Sequence, residues 1–414
     1  MAILLSPVSY YKTEPYTQPM NILYYLGSFP KLSESFVLNE IYELERRGYD
    51  VVVCALNEPD NQFVHEEFNK VDVPIEYVPT PTYSDALTAT SPKFLQHNIL
   101  KEMMYLAPPA DHVTNLFRTK HCLTFIDSID WTPDHIHTHF ATLSKFPAAY
   151  MSAYYGVPFT LTAHAWDIYK RPIGRYTTNL MRSADRIITI SEYNRDWIRN
   201  QFTPDTPIDI VHAGIRPGKF TPTTGTEPNR VVTIARFVEK KGLEYALDAI
   251  ASVARQIPDI EYNLIGSGEQ RDALVQKVQK LELEDTVTFL DDVCDQRLIT
   301  ELDQARCFLL PCVIAENGDR DGIPVSIMEA MAMKTPPVST TISGIPELVD
   351  HEQNGLLTDP GDADLIADAI ITLLQNDSLY ERYAQRGRET VRAEFNITTE
   401  AEKLETVFQN ASQI

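Results

Sequence analysis

The residues best placed to do chemistry gather late in the chain. Asp321 and Glu329 stand eight positions apart and bracket Gly322, Ile323, Pro324 and Val325. Pro324 has the fixed backbone angle that suits a first helical position, and Gly322 and Ile323 before it aim unpaired N–H groups outward. A helix start of this kind attracts phosphate. A helix from Pro324 to about Lys334 carries Glu329 roughly a turn and a half in, in reach of whatever lies beyond the phosphate, which points to a nucleotide. The plainer alternative is a buried strand-to-helix turn with a solvated glutamate. Arg236 follows a predicted strand, with Lys240 and Lys241 within one turn before Gly242. Cations are unfavourable at a helix start, so an anion is expected to offset them. Gly266-Ser267-Gly268 forms a tight turn that admits a ligand close to the backbone; Arg271 breaks the GxGxxG pattern.

Other candidates are weaker. His137 and His139 share one face of a predicted strand, a metal half-site by spacing, but no third ligand follows at a suitable distance, and a hydrogen-bonded strand end reads as well. His164 comes just past another strand, where a side chain reaches a cleft; a lone histidine is more often structural. Asp319-Arg320-Asp321 spells a pattern that chelates metal-diphosphates, yet the helix start with Arg236 and Lys241 already supplies the charge, and no metal is expected. Cys54, Cys122, Cys294, Cys307 and Cys312 are odd in number and scattered, and read as core thiols in a reducing compartment.

These residues need elements to hold them. At 414 residues, with 43% hydrophobic and 23% charged, the chain is globular and long enough for two domains. Its 36 basic and 58 acidic residues give a net charge of −22, which argues against nucleic-acid partners. No apolar run reaches membrane-span length and the first nineteen residues do not resemble a signal peptide, so a cytoplasmic location is expected. Residues 1–19 read as a loose leader. Strands and helices alternate from Met20 to His212, except over 57–133, where Pro-rich loops from Val73 to Pro92 precede helices near Phe94 to Leu106 and His112 to Ser128. A Pro-, Gly- and Thr-rich stretch at 214–229 marks a linker, and a second alternating series runs over 230–395 before a last helix within 396–414. The expected fold is α/β: two Rossmann-like, doubly wound domains, 20–213 and 230–395, facing each other across a cleft.

Four blocks carry a resemblance: Ala235-Arg236-Phe237 with Glu239-Lys240-Lys241-Gly242, then Ile265-Gly266-Ser267-Gly268, then Gly322-Ile323-Pro324 through Glu329-Ala330-Met331-Ala332, then Gly344-Ile345-Pro346-Glu347. In order and spacing they resemble the donor half of retaining glycosyltransferases of family 4, of GT-B fold. Phe29-Pro30-Lys31, His137-Thr138-His139-Phe140 and Thr162-Ala163-His164-Ala165 extend the likeness to the first half, and the whole looks most like the exopolysaccharide and colanic-acid subgroup. The resemblance implies transfer of a sugar from a nucleotide-diphosphate donor to a hydroxyl of a glycan or lipid-linked glycan, with retention and no cofactor, and possible peripheral membrane contact. It implies that Arg236 and Lys241 grip the diphosphate and stabilise the leaving nucleotide, and that Gly322, Ile323, Pro324 and Val325 hold phosphate or sugar hydroxyls. Glu329 would accept from the ribose, Gly27 and the Gly266–Gly268 turn would let the donor approach, and His164 would lie near the reacting sugar. Asp321 stands where the family usually has Glu, so its contact with the donor sugar is expected to be shifted. The last helix is expected to cross back onto the first domain. Two rival readings stay open: a nucleotide-sugar-binding scaffold without turnover, and a GT-B epimerase or phosphorylase.

Overall fold

A computed structural model of the chain describes residues 20–59, 65–81, 111–170, 174–223, 225–291 and 293–413. The expected leader and the helix expected at Phe94 to Leu106 lie outside these residues. The first half builds a seven-stranded sheet from β1 (Asn21–Ser28), β2 (Asp50–Asn57), β3 (Ile75–Tyr77), β4 (His135–His139), β5 (Phe159–Ala163), β6 (Arg186–Thr189) and β7 (Ile208–Ile210), in the order β3-β2-β1-β4-β5-β6-β7. The second half builds a six-stranded sheet from β8 (Arg230–Ile234), β9 (Glu261–Ile265), β10 (Val287–Leu290), β11 (Cys307–Leu310), β12 (Pro337–Thr340) and β13 (Leu356–Thr358), in the order β10-β9-β8-β11-β12-β13. All pairings within both sheets are parallel, as continuous apolar runs such as Val51–Ala55 and Cys307–Leu310 require: such strands are buried on both faces. The strand order reverses beside β1 in one sheet and beside β8 in the other, and ligand crevices open at such switch points.

Helices cover each sheet on both sides. On one face of the first sheet, Leu23, Ile136 and Leu161 pack with Phe146, Tyr150 and Met151 of the helix Phe146–Tyr155. On the other, Ile22, Tyr24 and Val53 pack with Leu38 and Ile41 of the helix Ser35–Arg46 and with Leu404, Val407 and Phe408 of the last helix, Ile397–Ala411. The chain's last helix therefore covers the sheet that its first strands began. Chain crosses between the halves at 211–229 and again at 395–397, and the two crossings are bonded to each other: the N–H of Ile215 donates to Phe395 O at 2.9 Å, and that of Ile397 to Ile215 O at 2.8 Å.

Some local expectations shift. Pro324 is extended and stands just before the helix Val325–Ala332, rather than opening it. The helix ends short of Lys334, whose φ is +64°. A 3-10 turn, Leu32–Glu34, precedes the helix Ser35–Arg46. Strand β3 falls in the stretch read as Pro-rich loop; it is three residues long between Pro74 and Pro79, too short for alternation to reveal. Four cysteines are buried, whereas Cys294 is exposed.

Candidate active site

The ends of β8 and β9 and the start of the helix Val325–Ala332 open onto a cleft of about 430 Å³, closed on its far side by Ser28, Pro30, Leu32 and Phe36 of the first half. Arg236, Lys241, Gly266, Asp321, Ile323, Pro324, Val325 and Glu329 all line it. Arg236 is exposed to the cleft and has no ion pair among the described residues. Lys241 is engaged: its Nζ lies 2.5 Å from Asp321 Oδ2. Lys240 lies 3.3 Å from Asp321 Oδ1 and 3.1 Å from Asp319. Burial alone would raise the Asp321 carboxyl, but Lys241 and Lys240 hold it well below the ordinary carboxylate range. Both Asp321 oxygens are thus taken by ammonium groups. A glutamate would carry its carboxylate a methylene further past the lysines; the aspartate ends at them.

Glu329 differs. It is half-buried at the cleft wall, and burial pushes its carboxyl up to about 7 against the opposing pull of His65 and Lys219. It is therefore near half-ionised at neutral pH, a proton acceptor whose strength depends on conditions.

The glycines also have packing reasons of their own. Gly266 has φ +132° and Gly268 +154°, and an added Cβ would meet Ala235 O at 2.1 Å and Phe237 O at 2.5 Å. Close backbone packing against the end of β8 demands them, and of the two Gly266 also lines the cleft. Gly322 faces the first half, where a Cβ would meet Ile190 Cδ1 at 2.7 Å. It serves contact between the halves, outside the cleft lining. Gly27 also lies outside that lining; its neighbour is Lys145, whose Nζ would be 3.6 Å from an added Cβ.

His164 caps the short helix Ala165–Tyr169, its N–H donating to Asp167 Oδ1 at 2.9 Å. Its Nε2 lies 3.0 Å from His139 Nδ1, His139 Nε2 lies 3.1 Å from Glu40 Oε1, and Tyr24 Oη donates to that same oxygen at 2.7 Å. With the Glu40 carboxylate accepting, His139 carries its proton on Nε2, and His164 then donates from Nε2 to His139 Nδ1. His164 is 5% exposed, packed between Phe36 and Phe140. Burial drives it and His139 toward the neutral form, His139 down to about 3. His164 lines a smaller cavity beside the cleft and is tied to it through Phe36, which lines both.

Sequence reasoning missed several residues here. His65 Nδ1 lies 2.9 Å from Asp295 Oδ1, and Lys219 Nζ lies 2.7 Å from both Asp295 Oδ2 and Glu67 Oε2, so the two halves are pinned at the cleft rim. Arg320 lies over Tyr169 at 4.9 Å and Trp197 at 5.0 Å, and Glu347 accepts from the N–H groups of Glu192 and Tyr193 at 2.8 and 2.9 Å. The partners are far apart in sequence and carry no shared period. Two groups among the described residues have metal-ligand composition, Glu40–His137–His139 and His65–Glu67–Asp295. In the first, the ring nitrogens are engaged: His137 with Thr160 at 2.7 Å and Thr162 at 3.1 Å, His139 as described. In the second, Lys219 already supplies the cation.

Comparison with known proteins places these features in context. The family described as "Glycosyl transferases group 1" matches residues 219–390, and the "Glycosyl transferase 4-like domain" matches residues 33–214. The chain is 28% identical over 399 residues to the amylovoran biosynthesis glycosyltransferase AmsK of Erwinia amylovora, covering 91% of this chain and 96% of that one. It is 29% identical over 404 residues to the putative colanic acid biosynthesis glycosyltransferase WcaL of Escherichia coli, with the same coverage. Among solved structures, Anabaena HepE in complex with UDP-glucose superposes with a TM-score of 0.73 at 18% identity, over 94% of this chain and 100% of that one. A glycosyltransferase from Rickettsia africae gives 0.70 at 14% identity, over 95% and 98%. The fold is GT-B.

Proposed function

Because the chain belongs to the group 1 glycosyltransferases, with a glycosyl transferase 4-like domain in its first half, we propose that it moves a sugar from a nucleoside-diphosphate donor to a glycan hydroxyl, with retention and without a bound metal. The observation that carries this reading is the convergence of Arg236, Lys241, the helix start at Val325 and Glu329 on one cleft. Arg236 meets the diphosphate first. Lys241, shared with Asp321, stabilises the charge that develops as the nucleotide leaves. Glu329 accepts from the ribose hydroxyls. His164, held by His139 and Glu40, orients the acceptor side.

Given retention, same-face attack fits better than a double displacement, because the cleft carboxylates are engaged: Asp321 is bound by two lysines, Asp295 by His65 and Lys219, and Glu329 is assigned to the nucleotide end. Metal independence fits the same pairs, because a cation at Asp319 and Asp321 would have to displace Lys240 and Lys241. The relatives named for amylovoran and colanic acid biosynthesis favour a polysaccharide or lipid-linked glycan acceptor, and HepE with UDP-glucose favours a nucleotide-sugar donor. No helix among the described residues is long and apolar enough to cross a membrane, so a lipid-linked acceptor would be met at the membrane surface.

A thermal-shift screen of UDP-, GDP- and ADP-sugars identifies the donor, and incubation with that radiolabelled donor, with and without EDTA, tests turnover. Transfer or slow donor hydrolysis that survives EDTA is expected. Binding without turnover across acceptors would favour a scaffold, and abolition by EDTA would return the two aspartates to metal binding.

A further inference from the structure

A second cavity, about 650 Å³, lies apart from the donor cleft where the chain crosses between the halves. Both crossings contribute to it, through Arg216–Lys219 and through Asn396–Thr398, and both halves supply the rest of its wall. Five cations line it, Arg46, Lys70, Arg216, Lys219 and Arg392, against the acids Glu43, Glu66 and Glu67. In a chain of net charge −22 this is a local excess of positive charge.

Two of the five are committed to protein partners: Arg46 to Glu43 at 2.9 Å, and Lys219 to Glu67 and Asp295. Three are not. Lys70 and Arg392 are exposed at the cavity and have no ion pair among the described residues. Arg216 lies flat over Tyr42, its guanidinium carbon 3.6 Å from the ring centroid, with its side chain 18% exposed. Its Nε and Nη2 make no hydrogen bond among the described residues, although Nη2 comes within 3.5 Å of Glu43. A buried guanidinium with idle donors costs free energy, and burial works against its charge. Its planar fork matches a phosphate. One stacked arginine, with two exposed cations on the wall of the same cavity, suits a small dianion.

We propose that this cavity binds a small phosphorylated effector through Arg216, Lys70 and Arg392, and that its occupancy favours the arrangement in which the two halves meet across the donor cleft. The regulatory part rests on the transferase reading, and the binding part does not. Lys70 belongs to the first half, Arg392 to the helix Asp377–Glu394 of the second, and Arg216 to the crossing between them. A ligand touching all three is bound more tightly in the arrangement that brings them together, and it shifts the population by that difference.

Calorimetric titration of the full chain with inorganic phosphate and with a hexose 6-phosphate tests this. Both probes are expected to bind, and the double variant Lys70→Gln, Arg392→Gln, altered only at exposed positions, is expected to weaken binding by at least ~10-fold. Arg216→Met should do the same, while Arg236→Ala in the donor cleft should keep the binding. Tighter binding of the hexose phosphate assigns a sugar phosphate as effector, and equal binding assigns free phosphate. Unchanged affinity in Lys70→Gln, Arg392→Gln, loss of all binding in Arg236→Ala, or no binding of either probe each overturns the site. Bound effector should also raise the initial transfer rate at subsaturating donor; binding with no change in rate overturns the regulatory part alone.

Discussion

The two sheets present their strand ends to each other with opposite electrostatic characters. At the ends of β8 and β9 and at the helix Val325–Ala332, charged groups stand in or beside the cleft, and Lys241 and Lys240 hold the Asp321 carboxyl well below the ordinary carboxylate range. At β4 and the end of β5, His137, His139 and His164 are sealed inside against the half-buried Glu40, and burial drives each imidazole toward its neutral form. The difference teaches a division of labour. On the proposed function, one side would handle net charge that changes when a diphosphate arrives and leaves, with its charged groups set at the cleft surface. The other holds geometry, through buried neutral imidazoles linked in a hydrogen-bonded chain that ends on the Glu40 carboxylate.

The sharpest break in this comparison is Arg236→Ala. It removes the unpaired cation of the charged side and should lower kcat by roughly 10²–10³, measured by donor turnover. A change of only a few-fold would mean that the charge of the leaving group is met elsewhere. Next comes His139→Ala on the sealed side. It cuts the link between His164 and Glu40 and should lower kcat by up to ~10² through misplacement alone, while the donor KM stays near its original value. An equal rise in donor KM would erase the distinction between the sides.

Asp321→Asn probes the ion pairs that separate them. It should cost about 2 kcal/mol of stability in urea unfolding, since one buried charged partner is lost. Donor binding should nevertheless hold or tighten, because Lys241 is released toward the diphosphate; weaker binding would give Asp321 a direct donor contact. The smallest effect belongs to Glu329. Its carboxyl, pushed up to about 7, gains a charge as pH rises through that value and then accepts hydroxyl hydrogen bonds better. Donor KM should therefore fall by up to ~10-fold between one pH unit below and one above, and Glu329→Gln should flatten that slope.

Much of the charged side was legible in the sequence because its residues are local: Arg236, Gly266, Pro324 and Glu329 each lie within a few positions of a strand end or helix start, and alternation of apolar runs located those ends. Asp321 could be singled out, but its ion pairs could not, because its two lysines are about eighty residues away. The sealed side was only half legible. His164, His137 and His139 could be picked out, but the chain from His164 through His139 to Glu40 depends on packing among β4, β5 and the helix Ser35–Arg46, which no local spacing encodes. The same holds for His65 with Asp295 and for Arg320 over Tyr169 and Trp197. Gly322 was singled out for its backbone N–H at a helix start, and its close packing against Ile190 of the other half stayed hidden.

The paired backbone bonds between Ile215 and the 395–397 segment bear on how the molecule can move. A single connecting strand would leave one half free to spin relative to the other, whereas two strands fastened side by side oppose that rotation and yield mainly to bending across their common line. The motion left to the halves is then close to one degree of freedom, a jaw instead of a swivel. Each opening and closing would return Arg236 to the same place across the cleft from Pro30 and Phe36, with no search over angles to repeat.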